Sequence, residues 1–166
     1  SPQERLSPLR ERLAVSIVDW AEPASIDRAI AQATPSVVFH LAGPPFNPPT
    51  LPLNVFLDAA VNNTAALLRS LDDAGNGARI VFTSSAAVYG NPAHAPETQV
   101  PAPVTWLGAA KPMAGVLLAT AGRKTGRPIV ELRPYTPHGP GERAERLIPS
   151  LNAAALAQRP LPLSAG

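Results

Sequence analysis

A chain of 166 residues has room for one hydrophobic core, and a net charge of +2 gives no argument for nucleic acid or an anionic membrane as partner. It contains no cysteine, which excludes disulfides and thiolate chemistry. No apolar run approaches the roughly 20 residues that span a bilayer, and the N-terminus has no signal-peptide pattern, so a cytoplasmic protein is expected.

Taken in chain order, Leu13 to Val18 reads as a strand. Ser25 reads as the N-cap of a helix through Ile26, Ala29, Ile30 and Ala33. Ser36 to Leu41 is an uninterrupted apolar strand, followed by a proline-rich loop from Gly43 to Pro52. Val55, Phe56, Ala59, Thr64, Leu67, Leu68 and Leu71 then recur at helical spacing, and Gly75 stops that helix. Arg79 to Ser84 is a second buried strand. A helix is expected from Trp106 to Gly122, starting late or kinking at Pro112, which lacks a backbone donor. Pro128 to Pro134 makes another strand, and a last helix starts near Leu147 and ends by Arg159. The 21 prolines fall mostly between these runs, where they mark loops.

Strands apolar on both faces, alternating with helices, imply an α/β fold: a Rossmann-like parallel sheet with helices on both faces. Ligands of such sheets sit beyond the carboxyl ends of the strands. Those ends are Asp19-Trp20, His40-Leu41-Ala42-Gly43, Thr83-Ser84-Ser85 and Arg133-Pro134-Tyr135.

The same segments carry a resemblance. Val37 to Gly43 (VVFHLAG), Val81 to Gly90 (VFTSSAAVYG), Leu132 to Arg143 (LRPYTPHGPGER) and Arg146 to Leu163 together resemble, in order, the extended short-chain dehydrogenases of the NAD(P)-dependent epimerase/dehydratase family. The resemblance implies one partial Rossmann-like domain over residues 1–166 that lacks the first βαβ unit. It implies NAD or NADP as cofactor and a sugar nucleotide or related hydroxyl or keto compound as substrate; a homodimer is expected separately, through whatever sheet edge or face remains apolar. It makes Ser85 and Lys111 catalytic. It places Asp19, Trp20, Leu41, Ala42, Gly43, Thr83, Lys111 and Pro134 against the cofactor, Asp19 at the adenine. It places Ser85, Tyr135, Thr136 and Arg143 toward substrate.

The sequence also departs from the family. It holds no Gly-x-x-Gly-x-x-Gly turn, whose backbone N–H groups receive the pyrophosphate, so weak dinucleotide binding is expected. The family's tyrosine, four residues before its lysine, falls on Leu107. Its glutamate, four residues after the lysine, falls on Gly115, and the asparagine of the long helix falls on Ala60. Leu107 has no proton to move. Three readings therefore stay open: part of an epimerase, dehydratase or reductase; a degenerate member that binds without hydride transfer; or an enzyme with another proton carrier.

Each candidate has a plainer reading. Lys111 also reads as a solvated helix lysine, and Ser85 as a serine that satisfies backbone groups. Tyr89 reads as a packing residue more than a replacement acid. His40 reads as a hydrogen-bonded structural histidine, His138 as a surface one, and Arg143 as solvated or phosphate-binding. His40, His94 and His138 have no metal-ligand spacing. In the family's 3-2-1-4-5-6 sheet, Leu13 to Val18 is the third strand and Ser36 to Leu41 the fourth. For a stand-alone chain, the expectation is that these two pair directly as a right-handed βαβ unit.

Overall fold

The structure, a computed structural model, describes residues 7–43, 51–91 and 94–160. Most of the expected Gly43 to Pro52 loop lies outside the described residues. The chain divides into two compact units, one of residues 15–135 and one of residues 1–14 with 136–166.

The larger unit holds a three-stranded parallel sheet in the order β1-β2-β3: β1 Val37–His40, β2 Arg79–Thr83 and β3 Ile129–Leu132. Helix α1 is Pro23–Ala33. Helix α2 is built from Leu53–Leu57, a π-turn at Asp58–Asn62, and Asn63–Asp73. Helix α3 is Trp106–Thr125. The fold is Rossmann-like, as the strand–helix alternation implies.

The burial pattern explains the layering. On α2, Phe56, Ala60, Thr64, Leu67 and Leu71 are buried, a stripe at helical spacing that continues through the π-turn. On α3 the inward stripe is mostly small: Gly108, Ala110 and Ala114, with Lys111 and Leu118. Small residues let that helix lie close to the sheet. Both stripes meet Ile80 and Phe82 of β2, which are fully buried. Each large buried side chain contributes roughly 2 kcal/mol from the area withdrawn from water.

Pairing carries this face across the sheet, where His40, Phe82 and Glu131 stand in one row. The opposite face carries Phe39, Val81 and Val130 in register, and Phe39 is 67% exposed. Among the described residues, the helices of this unit lie on the face that carries Ile80 and Phe82.

Three local expectations are corrected. Residues 13–19 form no strand, and β1 pairs only with β2, so the direct pairing of Leu13–Val18 with β1 does not occur. Among the described residues no strand lies beside that segment to satisfy its backbone, and Ile17 is 94% exposed. Ser25 is not the N-cap of α1. Glu22 holds that position with Pro23 behind it, as suits a residue that needs no N–H in the first turn, and Ser25 Oγ accepts from the Asp19 N–H at 3.0 Å. Helix α3 does not start late at Pro112. Thr105 caps it, accepting from Gly108 N–H at 3.1 Å, and the helix carries Pro112 in its interior.

The smaller unit holds a 3-10 helix at Ser7–Arg12 and the helix α4, Leu147–Leu156, which starts where the sequence places it. No helix among the described residues is long and apolar enough to cross a membrane.

Candidate functional site

The carboxyl ends of the three strands open toward the same end of the larger unit. The first group there is Lys111. The inward stripe of α3 brings its ammonium under the end of β2, where it donates to the Thr83 carbonyl at 2.7 Å and lies 5.0 Å from the centre of the Phe82 ring. It is only 6% exposed. A β-carbon on Gly43, just past β1, would lie 3.5 Å from Nζ, so the ammonium reaches the ends of both strands. Burial pushes its pKa down. Among the described residues no carboxylate pairs with it, and two of its three N–H donors have no acceptor. A solvated helix lysine is therefore not what the structure shows.

Beneath it lies His40, buried at the end of β1. Thr64 donates its hydroxyl proton to the Ala60 carbonyl, so it accepts from His40 Nε2–H at 2.8 Å, which fixes the tautomer. Burial, then the nearby Lys111 charge, lowers the His40 pKa to about 4. The ring also packs on Phe82 and Trp20, with centroids 5.6 and 6.3 Å away. His40 is the hydrogen-bonded structural histidine that its apolar strand suggests.

Ser84 and Ser85 follow β2. Ser84 N–H donates to Leu132 O at 2.8 Å, but among the described residues its buried hydroxyl has no partner. Ser85 Oγ accepts from Ala87 N–H at 3.1 Å and caps the 3-10 turn Ala86–Tyr89. That turn lies on α3 at Gly108, where a β-carbon would collide with the Ala87 carbonyl. Only glycine there allows the approach.

Asp19 and Trp20 sit before α1. Asp19 is exposed, and its carboxylate accepts from Ala21 N–H at 2.9 Å. Trp20 packs against the core. Leu41 is exposed, Ala42 half-buried and Gly43 exposed. Pro134 accepts from Ala86 N–H at 3.0 Å, tying the β3 end to the Ser85 turn. Tyr135 is exposed, its hydroxyl 3.4 Å from Ala95 O. Thr136 and Arg143 belong to the smaller unit, where Arg143 lies 3.7 Å from Glu145. Leu107 is half-buried against the core. The described residues contain no cluster of three metal-ligating side chains.

One network escaped the sequence reading. Glu131 lies on β3, and Arg133 follows the strand directly. Arg133 Nε and Nη2 donate to the Glu131 carboxylate at 3.0 and 3.2 Å. Arg133 Nη1 donates to Tyr89 Oη at 2.8 Å and Glu97 O at 3.2 Å. The carboxylate, then the phenol, raises the Arg133 pKa. Two opposite charges two residues apart, in a strand otherwise apolar, are the signal that was available.

A model of the NAD dependent epimerase/dehydratase family matches residues 2–165. The chain belongs to that family. Solved structures share its fold. RMD from Pseudomonas aeruginosa, complexed with NADPH, is 27% identical with a TM-score of 0.77, over 88% of this chain and 51% of that one. MoeE5, in complex with UDP-glucuronic acid and NAD, is 31% identical with a TM-score of 0.62, over 72% and 41%. Dihydroflavonol 4-reductase of Hordeum vulgare is 36% identical over 85 residues, 51% of this chain and 23% of the relative. The chain thus spans about half or less of the length of these relatives.

Proposed function

We propose that this chain supplies the Ser85–Lys111 portion of an NAD(P)-dependent epimerase/dehydratase-type site, acting on a sugar nucleotide or a related hydroxyl or keto substrate. The observation that carries this reading is Lys111: a buried ammonium at the joint ends of β1 and β2, with two N–H donors unspent among the described residues. The residues present fit the ribose and nicotinamide end of a dinucleotide. The ammonium is a donor to ribose hydroxyls, Gly43 leaves the approach from β1 free of a side chain, and the buried Ser84 hydroxyl lacks a partner. Asp19, Trp20, Leu41, Ala42, Thr83 and Pro134 would complete the cofactor side. The chemistry that such a cofactor supplies when bound is hydride exchange at a carbon bearing a hydroxyl or keto oxygen. RMD and MoeE5, solved with NADPH and with NAD, support this choice of cofactor.

In this reading Lys111 holds ribose hydroxyls, and Ser85 orients a substrate oxygen. The Ser85 capping bond occupies one lone pair of Oγ and leaves the hydroxyl proton to donate, which supports that role. The family resemblance assigns Tyr135 to the substrate side.

Leu107 favours a second reading, a binding protein on this scaffold or an enzyme with another proton carrier, because the neighbour of Lys111 one turn back has no proton to give. We place the protein in the cytoplasm and expect a homodimer; the exposed apolar sheet face supports self-association, and a monomer in light scattering at every concentration would exclude it.

The test is saturation-transfer NMR with NAD and with NADP, on the parent chain and on Lys111→Met. Weak binding, seen at the nicotinamide-ribose protons and lost in the variant while its circular dichroism is unchanged, is the expected result. Undiminished transfer in Lys111→Met would overturn the assignment.

A further inference from the structure

The loop that joins α2 to β2 contains Gly75-Asn76-Gly77, and Asn76 is the one asparagine of the chain that precedes a glycine. We infer that Asn76 modifies itself in the folded protein: the Gly77 backbone nitrogen displaces the side-chain amide, and the ring that forms opens to aspartate and isoaspartate. The position lies at the amino end of β2, opposite the strand ends around Lys111, and the inference does not depend on the cofactor reading.

The end of α2 sets the local geometry. Gly75 turns left-handed at φ 60°, its N–H donates to Asp72 O at 3.0 Å, and Asn76 N–H donates to Leu71 O at 2.9 Å. This glycine stop fixes the main chain of Asn76. The Asn76 side chain folds forward over the Gly77 peptide, where Oδ1 accepts from Ala78 N–H at 2.8 Å. That bond also acts on the chemistry. As a nitrogen adds to the amide carbon, negative charge develops on Oδ1, and the Ala78 N–H is already aimed at it. Gly77 is the matching half. It is exposed, and among the described residues its N–H has no acceptor, so no bond must break before the nitrogen attacks. A β-carbon there would meet nothing within 4 Å, and its backbone is not left-handed. The fold therefore does not need glycine at 77. What glycine supplies is an unhindered nitrogen.

The step balances without any further reactant than water. Gly77 N forms a bond to Asn76 Cγ and gives up its proton, the Cγ–Nδ2 bond breaks, and ammonia leaves with that proton. Water then opens the cyclic imide: cleavage at Cγ gives aspartate, and cleavage at the main-chain carbonyl gives isoaspartate. Asn76 and Gly77 line an open cleft of about 500 Å³ that admits this water, and Asp72 and Arg127 line it too. Either product thus adds a negative charge to the cleft that holds the Asp72–Arg127 pair. The two differ in their effect on the fold. Aspartate keeps an acceptor for Ala78 N–H. Isoaspartate carries the main chain through an extra methylene directly before β2, where the Ala78 carbonyl accepts from Arg127 and Arg79 N–H donates to Ser36 O at 3.0 Å.

The experiment incubates the folded full chain in mildly alkaline buffer and maps its tryptic fragments by mass. Cleavage after Arg69 and Arg79 releases Ser70 to Arg79, a fragment whose only asparagine is Asn76. With time that fragment should gain one dalton and split into two species, and a proteinase that cuts before aspartate should cut at position 76 in one of them only. Asn152, which precedes an alanine inside α4, should stay unchanged over the same period. Gly77→Ala, which the open space accommodates, should slow the change by about tenfold or more, because a side chain hinders the attacking nitrogen. The acidic species purified from the aged chain should unfold at lower urea than Asn76→Asp, which carries the charge without the extra methylene. Equal stability of the two would overturn the effect assigned to isoaspartate. An Asn76 that stays intact in the folded chain and reacts only in urea, equal loss at Asn152, or an undiminished rate in a folded Gly77→Ala chain would each overturn the inference.

Discussion

The β-carbon that Gly115 lacks would stand 3.1 Å from Glu131 Oε2, so a carboxylate from β3 occupies the space beside α3 that a side chain at 115 would take. The family pattern has a glutamate at that position, and in this chain the acid comes instead from the strand. Alanine for glycine inside a helix ordinarily gains about 1 kcal/mol. Gly115→Ala should gain less, because Glu131 must shift and its paired contact with Arg133 loosens. Gly115→Glu should destabilise by about 1–3 kcal/mol, since it crowds two carboxylates around one guanidinium. Adding Glu131→Gln to that variant should recover most of the loss in urea unfolding. A Gly115→Glu chain as stable as the parent would contradict the packing.

At the opposite end of the strands, Arg127 donates to Asp72 Oδ1 at 2.7 Å and to the Ala78 carbonyl at 3.0 Å. The guanidinium is buried, whereas Asp72 is about half exposed. That asymmetry sets the outcome. Removing Asp72 strands a buried cation, while removing Arg127 leaves an acid that water can reach. Asp72→Ala should cost about 2–4 kcal/mol, and Arg127→Met no more than that. In the double variant the cost should fall well below the sum of the two, as read from a double-mutant cycle by chemical denaturation. Additive losses would mean that the ion pair has no coupling.

His40 makes stability depend on pH. Its folded pKa, about 4, lies below the ordinary 6.5, chiefly because burial disfavours the charged ring. The unfolded chain therefore binds more protons in that interval, and stability rises with pH. The contribution is fully present above about 6.5 and is lost as pH falls through about 4. Its size is on the order of 3 kcal/mol. His40→Gln keeps a donor for Thr64 but cannot titrate, so the slope of unfolding free energy between pH 6.5 and 4 should flatten. An unchanged slope would locate the titration elsewhere.

The parts of this protein legible in its sequence were those set by local pattern. The strands at Val37, Arg79 and Ile129 and the helices after them follow from apolar runs and helical spacing, and the four strand-end segments follow from the sheet. Residues 13–18 have a strand's composition, but pairing is non-local, and a strand with no neighbour does not form. Ser25 was misplaced because Pro23, two residues earlier, sets the start of α1. Within the candidate site, Lys111 and Ser85 follow from the resemblance to the family's motifs. The bond from Lys111 to Thr83 and the network from Glu131 through Arg133 to Tyr89 depend on how α3 and the loop before it lie on the sheet. No periodicity reports that. For Glu131, only its register with Phe82 shows that it faces the helices.

Leu107 lies one helical turn before Lys111, on neighbouring positions of α3. Leu107→Tyr would place a phenol beside an ammonium that is buried and, among the described residues, without a carboxylate partner. An unpaired cation at that range stabilises phenolate and lowers the phenol's pKa below its usual value of about 10. Ultraviolet difference titration of the variant should show one phenol ionising earlier than those of the parent chain, and Lys111→Met in the same background should return it toward 10. Nicotinamide absorbance in single turnover, with dinucleotide and UDP-glucuronic acid as the probe substrate, then separates the readings of function. Activity that emerges only with Leu107→Tyr means that the scaffold is intact and lacks a proton carrier. Turnover already present in the parent and unchanged by the substitution means that another group carries the proton. A phenol that titrates as in the parent, with or without Lys111, would show that the two positions do not communicate and would remove Lys111 from any role in proton transfer.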